Sequence, residues 1–160
     1  MKTKYNNDAI IGGKNITASY TKNGELLRVM YPFPDFRSWI DEFKTGVKIN
    51  DSGIIYLHED INNQYNQYYT EDTNILHTEI TNTYFNLKIR QTDFALVKEN
   101  IIAKRYTIVN GNKLDLDLSF LVRSKLYSND NNMVSDKVID NGLIQYNHDF
   151  SFNIFANKDI

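Results

Sequence analysis

From Leu114 to Val122 the chain reads Leu-Asp-Leu-Asp-Leu-Ser-Phe-Leu-Val, with Leu114, Leu116, Leu118, Phe120 and Val122 on alternate positions. A helix would scatter these five around its axis at about 100° per residue, whereas a strand places them all on one face. The same period of two runs through most of residues 74–124. Leu76, Thr78 and Ile80 alternate with His77 and Glu79; Phe85, Leu87 and Ile89 alternate with Asn86, Lys88 and Arg90; Ile102, Lys104, Tyr106 and Ile108 share one side of a further strand. The clusters Lys98-Glu99-Asn100 and Asn110-Gly111-Asn112 separate these segments as turns. Long one-sided strands joined by short turns predict a large antiparallel sheet, packed on one face and wet on the other. No stretch carries sustained helical periodicity.

The flanking segments extend the all-β pattern. Ile16–Thr21 and Leu26–Tyr31 flank Lys22-Asn23-Gly24-Glu25, and Asn-Gly predicts a hairpin whose type I′ turn has positive φ at both residues. Residues 40–49 and 54–59 flank Asn50-Asp51-Ser52-Gly53 and predict a second hairpin. One strand is expected near Gln67–Thr70, and others at Val138–Ile139, Gly142–Tyr146 and Phe150–Phe155. The stretch from Asp35 to Phe43 has room for one helical turn capped by Asp35. There is no internal repeat, and 160 residues suit one domain or the larger part of one.

Composition narrows the function classes. The net charge of −2 leaves no basic footprint for nucleic acid or an anionic membrane. With no cysteine, disulfides, thiolate metal sites and thiol nucleophiles are excluded together. The first eight residues are polar and lack the apolar run of a signal peptide. No run of about 20 apolar residues could span a bilayer, so a cytoplasmic protein without a membrane partner is expected.

The candidate chemistry reads more simply as structure. Asp41 and Glu42 invite comparison with a carboxylate pair, but neighbours in an extended segment point to opposite faces. Asp93, placed between strands, and Asp115 with Asp117 on an outer face read as solvated or turn-stabilising acids. His58, His77 and His148 lie on different segments and could bind zinc only if the fold gathered them. Gly12-Gly13 precedes a strand, so no helix follows to cradle a phosphate, and the serines lack a Gly-x-Ser-x-Gly context. No catalytic residue, metal or cofactor is therefore expected. The aromatic segment Tyr31, Phe33, Phe36, Trp39 and Phe43, stiffened by Pro32 and Pro34, is the one open question. Its rings either close the core, meet a partner domain or contact sugar.

Several stretches, taken in order, carry a family resemblance. Ile10-Ile11-Gly12 with Lys14–Arg28, then Val29–Asp35, Phe43–Ile49, Ile55–Glu59 and Ile101–Asn110 together resemble the opening of the bacterial glucoamylase and glucodextranase group, glycoside hydrolase family 15. No single motif is diagnostic; the specificity lies in the series, which covers most of the chain. The resemblance implies a large antiparallel β-sandwich, a supersandwich of the galactose-mutarotase-like kind, N-terminal to an (α/α)₆ barrel that carries the catalytic glutamates. Such enzymes release glucose from α-glucan ends with inversion. This chain contains no barrel, so no catalytic residue carries over, and it is shorter than the family's whole sandwich, which leaves closure of the second sheet open. The implied role is a non-catalytic support, with the barrel of the same polypeptide as partner. Tyr31, Phe33, Phe36 and Trp39 form the candidate docking or sugar-contact surface. Self-association is expected of an incomplete sandwich, and the alternative is an independent α-glucan-binding module.

Overall fold

The computed structural model of the chain describes residues 7–34, 37–127, 134–148 and 150–157. Those residues form thirteen strands: β1 (Ala9–Gly12), β2 (Thr17–Tyr20), β3 (Leu26–Met30), β4 (Ile40–Ile49), β5 (Ile54–Tyr56), β6 (Asn63–Tyr69), β7 (Leu76–Asn82), β8 (Leu87–Ala95), β9 (Ile102–Asn110), β10 (Leu118–Leu126), β11 (Ser135–Ile139), β12 (Gly142–Tyr146) and β13 (Ser151–Phe155). They pair antiparallel in four sheets, ordered β1-β2-β3, β10-β4-β5, β6-β7-β8-β9 and β11-β12-β13, none closed on itself. Among the described residues there is no helix, and so none long and apolar enough to cross a membrane.

The period-two segments become the four-stranded meander. On β7 and β8 burial alternates without a break, with Leu76, Thr78, Ile80 and Asn82 inward and Leu87, Ile89, Gln91, Asp93 and Ala95 inward opposite them. This face feeds two apolar clusters. The first gathers Ile11, Ala18, Tyr20, Val29, Ile40 and Phe43 with Leu76 and Ala95; the second gathers Val47, Ile49 and Leu57 with Ile80, Leu87 and Ile89. Strand β4 contributes to both, with Ile40 and Phe43 at one end and Val47 and Ile49 at the other.

Three local expectations change. The first hairpin is not a two-residue I′ turn. Gly24 alone takes a positive φ, of 85°, and Thr21 closes a wider loop by receiving Gly24 N–H and donating its own N–H to Glu25 O, both at 2.9 Å. The extra residue is absorbed by a register shift after Ser19. Second, the expected strand at 114–122 begins only at Leu118. Its partner β4 ends at Ile49, opposite Leu118, and Asn50 instead ties off Asp117, donating its N–H to Asp117 O and accepting Asp117 N–H on its side-chain oxygen. Third, Ile40–Phe43 is extended as the start of β4, not helical, because those residues pair with Ser124–Leu126. Asp35 and Phe36, the cap and one of the aromatic residues, lie outside the described residues. The one large expected sheet is divided into several, and β4 takes β10 as its long-range neighbour in addition to β5.

Candidate functional site

The aromatic segment folds around Trp39. A cis Tyr31–Pro32 bond turns the chain out of β3, and Trp39 N–H returns it by donating to Val29 O at 2.8 Å. The indole Nε1 donates to Tyr31 O at 2.8 Å. Phe150 stacks on the indole at 4.3 Å and 9°, and the Arg37 guanidinium lies 4.3 Å from the same ring centroid. Together they leave little of the indole in contact with water. Trp39 is accordingly only 6% exposed. Tyr31 is half-buried and meets Phe150 at 6.3 Å, while Phe43 packs edge-on to Phe152. Phe33 is the outward member, 55% exposed. The fold therefore brings Tyr31 and Trp39 together around Phe150 and leaves Phe33 facing away from the core.

Polar chemistry concentrates elsewhere, on the inward face of the meander. Asp93 is fully buried and accepts from Lys104 Nζ at 2.5 Å and from Gln91 Nε2 at 2.6 Å. Gln91 also donates to Gly24 O at 2.9 Å, and its Oε1 meets His58 Nε2 at 2.8 Å. The Lys104 ammonium sits 4.9 Å from the Tyr20 ring centroid. Burial first, and the Asp93 charge second, hold the phenols of Tyr20 and Tyr106 well above their ordinary range. The carboxylate and the ammonium are matched to each other inside the core, and the arrangement fixes the strand register between Asp93 and Lys104, which are direct cross-strand partners.

The remaining candidates are dispersed. Asp41 pairs with Lys125 at 3.6 Å and Glu42 with Arg123 at 2.6 Å across the β4–β10 ladder. Asp115 and Asp117 are exposed in the segment leading to β10. His58 is inside the core; His77 lies on the outer face of the meander, with Nδ1 3.0 Å from Thr92 Oγ1 and Nε2 2.8 Å from Thr70 Oγ1; His148 is exposed near the turn before β13. Among the described residues no group of three or more His, Cys, Asp or Glu is placed to hold a metal ion. Gly13 closes a turn by donating to Ile16 O, and a Cβ there would meet the Leu96 carbonyl oxygen.

Sequence reasoning misses two partners. Nothing local to Phe150, which reads as the start of a strand, links it to Trp39. Asp93 reads as lying between strands, but Lys104, a lysine on the apolar side of its own strand, is a signal that an acid has to face it. Comparison of the chain with protein-family profiles, with curated proteins and with solved structures finds no match.

Proposed function

We propose that this chain is a non-catalytic N-terminal β-sandwich region of a glucoamylase-like α-glucan hydrolase, supporting and docking on a catalytic barrel of the same polypeptide. The series of resembling stretches motivates the family, and one surface observation carries the docking role. Strand β10 lies at the border of its sheet, and Phe120 and Val122, in register with Leu118 and the buried Leu126, stay 39% and 42% exposed. Phe120 touches Tyr106 of β9 at 4.6 Å, and β9 is itself a border strand of the meander. Two apolar borders thus lie next to each other, incompletely covered, in a fold that supports a sandwich completed by a neighbouring body.

Each large apolar side chain left in water forgoes about 1.5–3 kcal/mol of burial, so the chain alone should self-associate through this border. Light scattering tests this: the wild-type chain forms concentration-dependent oligomers and F120D/V122D shifts them to monomer. A family 15 barrel deprived of its own sandwich should gain thermal stability when the chain is added, and lose that gain with the double variant. A strict wild-type monomer, or glucose release from maltooligosaccharides by the chain alone, would refute the role. The reading with Tyr31, Phe36 and Trp39 as a sugar-stacking platform has less support, because the Trp39 indole is stacked on Phe150 and only 6% exposed.

A further inference from the structure

The open edge of β10 is short, and hydrogen bonds set its limit at each end. Asp117 O accepts from Asn50 N–H, and Asp117 N–H donates to the Asn50 side chain, so Asp117 turns its backbone groups toward β4. Those groups alternate in direction along a strand. Ser119, Leu121 and Arg123 therefore also face β4, while Leu118, Phe120 and Val122 turn theirs away from it. The next outward carbonyl, that of Ser124, accepts from Gln145 Nε2 at 3.2 Å. Among the described residues no hydrogen bond reaches the outward backbone groups of Leu118, Phe120 and Val122. The open stretch thus runs from Leu118 to Val122, and Phe120 is its centre.

Charge is arranged about the same centre. Asp117 and Arg123 stand three positions either side of Phe120, and Asp115 and Lys125 stand five. A second copy of the strand, laid antiparallel with Phe120 opposite its counterpart, sets Leu118 opposite Val122 and Asp117 opposite Arg123, each twice, and brings Asp115 toward Lys125. In this register outward backbone groups meet outward backbone groups, which gives about six hydrogen bonds between the copies. Asp117 and Arg123 fall in a pair without mutual hydrogen bonds, where side chains come closest. All four charged residues are exposed. Arg123 meets Glu42 at 2.6 Å and still keeps 67% of its side chain in water. Phe120 and Val122, incompletely covered in one copy, gain an apolar neighbour in the other. Parallel stacking in register would instead set acid on acid and cation on cation. The other open edge, β9, carries Lys104 and Arg105 and no acid to answer them.

We propose that two copies of this chain pair antiparallel through β10 about a two-fold axis at Phe120, joining their β10-β4-β5 sheets into one. The pairing rests on the reading of the β10 border as a docking surface, and a barrel seated there displaces the second copy. Both edges are used up, so assembly stops at two. Sedimentation of the whole chain should show a reversible monomer–dimer equilibrium. D117R sets cation against cation across the axis and R123D sets acid against acid, so each alone should weaken dimerisation at least about tenfold. Their equimolar mixture, in which opposite charges meet again, should recover it, with circular dichroism reporting an intact fold in both. The chain has no cysteine, so disulfide trapping reads the register. S119C and L121C oxidised together should cross-link, since these positions face each other with Cα atoms about 4.5 Å apart. Either alone should not, its own positions lying about 8 Å apart, beyond disulfide reach. A strict monomer would overturn the dimer and the border reading together. Oligomers that the charge mixture fails to restore, species larger than a dimer, or cross-linking by S119C alone would overturn the dimer and leave the border reading standing. A dimer with the expected cross-link in a chain that gives a barrel no stability upholds the pairing and counts against the supporting role.

Discussion

Replacing Lys104 by Met keeps most of the apolar stem and removes only the charge that faces Asp93. The carboxylate, fully buried, would then be left with neutral partners, among them Gln91 Nε2 at 2.6 Å. Breaking a buried pair by removing one partner costs about 3–5 kcal/mol, chiefly because the other charge is left uncompensated. The ammonium is also withdrawn from the Tyr20 face, a smaller loss of about 0.5–2 kcal/mol. For a chain of this size each kcal/mol moves the melting temperature by about 2–4 °C, so the two losses together should make K104M melt roughly 7–28 °C lower. Removing both charges in D93N/K104M should recover at least about 2 kcal/mol of that loss, since the carboxamide oxygen that D93N introduces still accepts from Gln91. Urea unfolding of the parent, both single variants and the double variant gives the coupling directly. A K104M variant within about 1 kcal/mol of the parent, or a double variant as unstable as the two single losses added, would refute the reasoning.

Other outcomes follow from local geometry. G24A should lose about 1–3 kcal/mol by thermal unfolding, because φ is 85° there and a Cβ would sit 2.7 Å from Thr78 Oγ1, whereas G53A, with nothing within 4 Å, should be neutral or slightly stabilising. Tyr20 and Tyr106 have phenols raised above the ordinary value of 10.0, so the folded chain keeps them neutral where the unfolded chain ionises. Their contribution is complete below about pH 10 and is lost as pH rises past it. In an alkaline absorbance titration of the eleven tyrosines, these two should stay silent until unfolding, and Y20F or Y106F should each remove one silent phenol. W39A should cost about 3–5 kcal/mol by denaturant titration, and the fluorescence of this single tryptophan should shift to longer wavelength on unfolding.

The meander is legible because one physical rule, burial of every second side chain, governs β7 and β8 from end to end. Where two rules compete the sequence misleads. The Asn23-Gly24 pair has the composition of a tight turn, but the loop is shaped by Thr21 receiving Gly24 and by Gly24 lying against Thr78 of another sheet. Leu114 continues the alternation of β10 yet is exposed, since pairing requires a partner and β4 runs out at Ile49. The role of Trp39 is undecidable from its neighbours, because the ring that covers it, Phe150, lies near the far end of the chain and arrives through tertiary packing.

Strand β4 has a mechanical consequence. Among the described residues it is the longest strand, ten residues, with Phe43 seated in one apolar cluster and Val47 in the other. A disturbance that frees either end tugs on the opposite one, so the two halves should melt in a single step, not in sequence. Amide protons along its middle, bonded to β10 on one side and β5 on the other, should then be the last in the chain to exchange with deuterium.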